Sequence, residues 1–91
     1  MNDRPGNPRR PRKAPDLELN EVLDGYVVYQ PARDRVHHLN RTAVLVLELC
    51  TGEHGVDEIA AIVQDAFELP ERPTAEISAC LTQLLEEQLV A

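Results

Sequence analysis

Histidine, cysteine and serine are the side chains of this sequence that could do chemistry, and their spacing argues against a catalytic centre. His37 and His38 are adjacent on a predicted strand, so their side chains point to opposite faces of a sheet and cannot bind one metal ion together. His54 follows in a predicted loop, and Ser78, the only serine, lies within a predicted helix. The sequence therefore predicts no metal site, no catalytic residue and no enzymatic activity.

The sequence also lacks the features that commonly bind a cofactor. The four glycines are scattered, so no glycine-rich loop is present to hold a phosphate group. Cys50 and Cys80 stand in apolar segments, which favours two buried free thiols over a disulfide. The carboxylates fall mostly at helix starts and on exposed helical faces, whereas acid–base catalysis needs a shielded cleft. We expect no cofactor.

Charge divides the chain into two parts. Residues 1–15 contain five basic residues against one acidic residue, a net charge of +4, together with four prolines. Such a segment buries too little apolar surface to offset its ordering entropy, which predicts a disordered tail that is either an arm for an acidic partner or a solubilising leader. Residues 16–91 contain four basic and 15 acidic residues, a net charge of −11. This predicted domain repels nucleic acid, because DNA and RNA binding depends on neutralising phosphates.

Targeting signals are not evident in the sequence. No apolar run approaches the roughly 20 residues that a membrane-spanning helix requires. The basic N-terminal residues are not followed by the apolar stretch of a secretory signal. We therefore expect a cytoplasmic protein with no membrane partner.

The first half of the predicted domain has the pattern of strands. Leu17 and Leu19 alternate with polar residues, and Asp24-Gly25 has the composition of a two-residue hairpin turn. A strand of β-branched and aromatic residues follows, then a turn beginning at Pro31, then a strand over Arg35–Leu39. The prediction is a three-stranded antiparallel meander.

The second half has helical periodicity. Asn40 is a good N-cap for a buried helix that Gly52 ends, and Gly55-Val56 starts a second helix. A third helix begins near Pro73 or Thr74 after a proline-containing break. The fold class is therefore α+β, with a three-stranded antiparallel sheet followed by three helices.

The strand Arg35–Leu39 is the most informative element for function. Only helices follow it, and it lacks the internal proline or lysine that often protects an edge strand. An open edge beside an apolar helix can accept an extended peptide as an additional strand. The residues leave a second possibility equally open, in which the third helix or the N-terminal tail covers this edge.

Four segments of the sequence, which lie within Arg35–Ala43, Leu47–Gly52, Val56–Ala60 and Leu81–Val90, resemble the PqqD-like family, the recognition elements of ribosomally made, modified peptides. The junction from Arg35 to Ala43 is similar to the family's hydrophobic-x-x-Leu-Asn-x-Thr/Ser-Ala stretch. Leu47–Gly52 resembles its helix end, Val56–Ala60 its next helix start, and Leu81–Val90 its leucine-rich close. The resemblance covers residues 16–91 and includes the same order of elements.

This resemblance implies a winged helix-turn-helix-like fold and the role of a peptide chaperone. Family members bind the leader of a precursor peptide and present it to a tailoring enzyme in natural product biosynthesis, such as a radical SAM protein, a cyclase or a leader peptidase. The implied leader adds antiparallel to the third strand and packs against the third helix. Carried onto this sequence, the implied peptide-binding residues are Arg35, Val36, His37, His38, Leu39, Ile77, Leu81, Leu84 and Leu85.

The alternative hypothesis is a winged-helix DNA-binding or regulatory domain, since many transcription factors share this fold type. A recognition helix should present lysine and arginine. Residues 74–91 contain neither and include Glu76, Glu86 and Glu87. Charge therefore favours the peptide-binding hypothesis and predicts no nucleic-acid partner.

Overall fold

The computed structural model describes residues 10–91, which form three strands followed by three α-helices. The strands are β1 (Glu18–Val22), β2 (Gly25–Gln30) and β3 (Arg35–Leu39), and they form one antiparallel sheet in the order β1-β2-β3. A short 3-10 helix, Pro31–Arg33, connects β2 to β3. The predicted α+β class and the predicted meander are confirmed.

The hairpin between β1 and β2 differs by one residue from the predicted turn. Its two-residue loop is Leu23-Asp24, and Gly25 is the first residue of β2, paired with Val22. Gly25 has a φ of +149°, and a Cβ atom added to it would lie 2.7 Å from the carbonyl oxygen of Leu39. The glycine is therefore required by the close approach of β3 rather than by the turn.

The helices are α1 (Arg41–Leu49), α2 (Val56–Ala66) and α3 (Thr74–Glu86). The predicted cap of α1 is confirmed, because the Asn40 side-chain oxygen accepts a hydrogen bond from the Ala43 N–H at 2.8 Å. At the start of α2 the Glu58 carboxylate accepts from the Gly55 N–H at 3.3 Å, which replaces the side-chain cap that glycine cannot provide. Local sequence chemistry thus defines both helix starts.

The core lies between the sheet and the three helices. Its aliphatic side chains come from β2, every helix and the C-terminal segment, and the largest fully buried ones are Leu47, Ile59, Ile77, Leu84 and Leu89. Val28 is the fully buried contribution of β2. Without a tryptophan in the chain, packing of branched aliphatic side chains supplies most of the apolar burial.

Residues 11–14 differ from the predicted disordered tail, whereas residues 1–9 lie outside the described part of the chain. Pro11 is buried. Arg12 exchanges two backbone hydrogen bonds with Ala91, at 2.9 and 2.8 Å, and the Lys13 N–H donates to the Cys50 carbonyl at 2.6 Å. Composition could not reveal these contacts, because their partners are backbone groups far away in the sequence, which need hydrogen bonds once they are buried.

The helices of the described residues are short. Within residues 10–91, none has the length and apolar composition that crossing a bilayer demands.

Candidate functional site

The open edge of β3 is the first feature of the candidate site. In the described part of the chain, β3 pairs with β2 on one side and with no strand on the other. Antiparallel neighbours alternate between pairs that exchange hydrogen bonds and pairs that do not. The two-residue loop makes Val22 and Gly25 a hydrogen-bonded pair, so the β2 residues that bond to β3 are the alternate ones: Tyr26, Val28 and Gln30.

The register then identifies which groups of β3 face outward. Leu39, His37 and Arg35 are the partners of those three β2 residues and are bonded within the sheet. Val36 and His38 direct their backbone N–H and C=O groups toward the open edge. These two residues therefore present two donors and two acceptors, spaced as an added strand needs them.

Side chains of β3 alternate between the two faces of the sheet. His37 is opposite the fully buried Val28, so it points toward the helices. Val36 and His38 point to the other face, and the Val36 side chain is 62% exposed. An added strand would therefore meet apolar surface from Val36 on the outer face and His37 with Leu39 on the helical face.

Hydrogen bonds of His37 join this strand to the end of α3. Its Nδ1 lies 3.2 Å from the Glu87 carboxylate and its Nε2 lies 3.2 Å from the Gln30 side-chain oxygen. Gln30, itself buried, donates through Nε2 to the Gln88 carbonyl at 2.9 Å. Gln88 has a φ of +60°, the left-handed conformation that turns the chain out of α3. This polar network satisfies the buried Gln30 and fixes β3 relative to α3.

Glu87, the residue that follows α3, identifies which side of the end of this helix faces β3. Glu87 marks that side, and steps of three and four residues along the helix place on it Gln83, Cys80 and Glu76. These residues are polar or half-buried. In the sequence these residues adjoin the apolar stripe of α3, and they are not among the residues that the resemblance implied.

The four α3 residues implied by the resemblance are placed mostly in the core. Ile77, Leu81 and Leu84 are buried to 1%, 4% and 2% exposure in the central cluster. Leu85 is half-buried, but it lies two residues before Glu87, about 200° around the helix axis at 3.6 residues per turn. Leu84 lies three residues before Glu87 and so on the side that Glu87 marks, but its side chain is buried. A peptide contact by any of the four stays a prediction.

The five predicted residues of β3 are brought together, with different roles. Val36 and His38 carry the outward backbone groups, His37 and Leu39 face the helices, and Arg35 is exposed at the start of the strand. The turn before Arg35 is held by the Tyr29 hydroxyl, which donates to the Asp34 carboxylate at 3.3 Å. The negative charge of Asp34, with burial and that hydrogen bond, raises the pKa of Tyr29.

The histidine, cysteine and carboxylate side chains of residues 10–91 do not come together as a metal site. These residues contain no cluster of three or more His, Cys, Asp or Glu side chains able to hold a metal ion. The His54 ring contacts Glu58 at 3.5 Å, one helical turn away, as a local surface pair. Among residues 10–91, the site thus offers outward backbone groups of β3 beside the end of α3, with no metal-binding cluster.

Comparison with known proteins places this geometry in a family. No curated protein sequence matches the chain. A solved structure described as lasso peptide synthetase B1 complexed with the leader peptide superposes with a TM-score of 0.70 at 23% identity, covering 90% of this chain and 98% of that one. The family model for coenzyme PQQ synthesis protein D (PqqD) matches residues 25–90, which include β2, β3 and all three helices. The chain belongs to the PqqD family.

Proposed function

We propose that this protein binds the leader segment of a ribosomally synthesised precursor peptide as a fourth strand on β3, and presents it to a tailoring enzyme. The observation that carries the proposal is the pair of outward-facing residues, Val36 and His38, on an edge strand that His37 joins to the C-terminal end of α3. Family membership supports it, and so does a fold shared with a solved protein described in complex with a leader peptide. The proposal assigns the protein no catalytic step and places it in the cytosol.

The opposite edge of the sheet is a weaker candidate for the same role. By the same alternation, β1 directs the backbone groups of Leu19 and Glu21 outward. Glu18 and Glu21 place two carboxylates on this short strand, and charged side chains protect edges from pairing. Among the hydrogen bonds of residues 10–91, none joins a side chain of β1 to α3 as the His37 network joins β3 to it. We therefore assign the peptide to β3.

Amide-resolved titration is the first test. Isotope-labelled protein is titrated with synthetic segments that tile the leader of a precursor peptide encoded beside its gene. We expect the largest shifts at the amides of Val36 and His38, and smaller shifts along α3 from Glu76 to Glu87. Shifts confined to β1, or shifts with duplex DNA and none with any leader segment, would contradict the proposal.

A proline substitution in β3, with a matched control on the other edge of the sheet, makes the test specific for main-chain pairing. His38→Pro removes an N–H that faces the open edge and leaves the bonds to β2 in place, because proline is tolerated where a strand N–H faces solvent. Since one donor is lost and the proline ring also crowds the added strand, we expect at least a tenfold loss of leader affinity, equivalent to about 1.4 kcal/mol. His38→Ala, which keeps the N–H, should bind within about threefold of the wild type.

Glu21→Pro is the matched control on the other edge, since it removes an outward N–H from β1. We expect wild-type leader affinity from it. Far-UV circular dichroism and the urea midpoint establish that both proline variants are folded. If folded His38→Pro bound the leader like the wild type, or if Glu21→Pro lost binding in its place, β3 would not be the pairing strand.

A further inference from the structure

The segment 31–42, which contains β3, has a charge opposite to that of the rest of the domain. It holds Arg33, Arg35 and Arg41 against the single acid Asp34, a net charge of +2. The other residues of 16–91 hold one basic residue, Arg72, and 14 acids, a net charge of −13. Three of the four arginines of the domain thus lie in the segment that contains the proposed binding strand.

These arginines are not used to stabilise the fold through ion pairs. Among residues 10–91, the ion pairs join Lys13 to Glu48, His37 to Glu87 and His54 to Glu58. Within this described part of the chain, no carboxylate lies within ion-pair distance of an arginine of segment 31–42, although the domain carries 15 acids. Asp34, their nearest neighbour in the sequence, accepts the hydrogen bond of Tyr29.

Position separates the three arginines into two groups. Arg33 ends the connecting 3-10 helix and Arg35 begins β3, so both lie at the same end of the open edge, and both are exposed. Arg41 begins α1 and lines a surface depression with Glu21 and Glu48, toward the β1 side. The positive charge available to a strand on β3 is therefore concentrated beside Arg33 and Arg35.

We propose, resting on the function proposed above, that the bound leader segment is acidic, with an aspartate or glutamate at the C-terminal end of the strand it adds. In antiparallel addition the C-terminal end of the peptide lies beside the start of β3, where Arg33 and Arg35 stand. Main-chain hydrogen bonds are indifferent to sequence and allow slippage by two residues. A carboxylate that pairs with these arginines selects one register.

The charge of the remaining surface strengthens this selection. A cationic segment is attracted to the acidic surface of the domain at many places. A neutral segment is not directed by charge to any of them. Within residues 16–91, an acidic segment is attracted to segment 31–42 and repelled by the remaining, strongly acidic residues, so the charge distribution directs it to the β3 edge. Charge thereby supplies orientation and register, which the main-chain hydrogen bonds do not.

Charge reversal tests the inference. Binding of a fluorescently labelled leader segment is measured by anisotropy for Arg33→Glu, Arg35→Glu and the double variant, at about 20 and about 300 mM NaCl. We expect the double variant to bind about 10- to 30-fold more weakly at the lower salt, and the difference to shrink at the higher salt as the charges are screened. Arg72→Glu, the same change between α2 and α3, is the matched control and should bind within about threefold.

A reciprocal change in the peptide identifies the partner charge. Replacing the C-terminal acids of the bound segment by lysine should weaken binding to the wild type and restore it to the Arg33→Glu, Arg35→Glu double variant. Either of two results would overturn the inference and leave strand addition in place. In the first, a leader segment loses affinity for the His38→Pro variant but has no acid at its C-terminal end. In the second, the double charge reversal leaves the affinity of the segment unchanged. Absence of binding by every leader segment would overturn both.

Discussion

The His37 ring and the Glu87 carboxylate, 3.2 Å apart, connect the edge strand to the end of the last helix. The two residues are 50 positions apart in the sequence, and the His37 side chain is only 8% exposed. Through Gln30 the same histidine is coupled to the carbonyl of Gln88. This relationship joins β3 to the C-terminal end of α3.

Removal of the Glu87 carboxylate should loosen that connection. Because Glu87 is about one-third exposed, its contact is partly screened, and we expect Glu87→Ala to lower the free energy of unfolding by about 0.5–1 kcal/mol. Urea denaturation measures the change. Glu86→Ala, one residue earlier on an exposed position, is the control and should change it by less than about 0.5 kcal/mol. Equal effects of the two substitutions would mean that the His37 contact stabilises nothing.

Gly25 should tolerate no side chain. Gly25→Ala places a Cβ atom 2.7 Å from the Leu39 carbonyl oxygen and forces alanine into a φ of +149°. We expect a loss of about 2 kcal/mol or more in the free energy of unfolding, from strain and from displacement of β3. Asp24→Ala in the same hairpin is exposed and should cost less than about 0.5 kcal/mol. A Gly25→Ala protein as stable as the wild type would contradict this close approach of the Leu39 carbonyl to Gly25.

The N-terminal segment 11–14 should contribute to stability. Deleting residues 1–14 exposes the site of Pro11 and removes the backbone hydrogen bonds to Cys50, Leu89 and Ala91. We expect a loss of about 2–4 kcal/mol, measured by urea denaturation. Arg10→Ala changes an exposed residue just before this segment and should leave the midpoint unchanged. If the deletion left the midpoint unchanged, these contacts would not form in solution.

Thiol reactivity should distinguish the folded from the unfolded chain. Burial raises the pKa of Cys50 to about 12, with the neighbouring Cys80 thiol acting in the same direction and Lys13 opposing it. Because the thiolate is the nucleophile, iodoacetamide at pH 8 should leave Cys50 unmodified in the folded protein and modify it in urea. Mass spectrometry of the alkylated peptides measures this. Rapid modification of Cys50 in native protein would show that its site opens readily.

The same shift has a consequence for stability at high pH. In the folded state the Cys50 proton is held above the pKa of 9.0 of an unperturbed thiol, so the unfolded chain loses its proton first. The contribution of the protonated Cys50 thiol to the stability of the fold is fully present below pH 9 and is lost as the pH rises toward 12. A Cys50→Ala variant should therefore show a smaller fall in stability between pH 8 and pH 10.5 than the wild type.

The sequence by itself determined most of the elements of this protein. Alternation around Leu19, the cap at Asn40, the acids beside Gly55 and the stripe from Ile77 to Leu84 are local patterns, and each predicted an element that the structure contains. These patterns report which face of an element is apolar. They correctly placed Ile77, Leu81 and Leu84 in an apolar environment. They did not distinguish residues that pack in the core from residues that contact a peptide.

Tertiary structure decided the features that depend on distant backbone groups. The outward pair Val36 and His38 follows from the β2–β3 register, which the loop before Gly25 fixes and which a shift of one residue would invert. Segment 11–14 is ordered by partners at the other end of the chain, whereas its own composition favours disorder. Hydrogen bonds between residues far apart in sequence leave no periodic pattern, so only the folded chain specifies where the open edge lies and which side of α3 it faces.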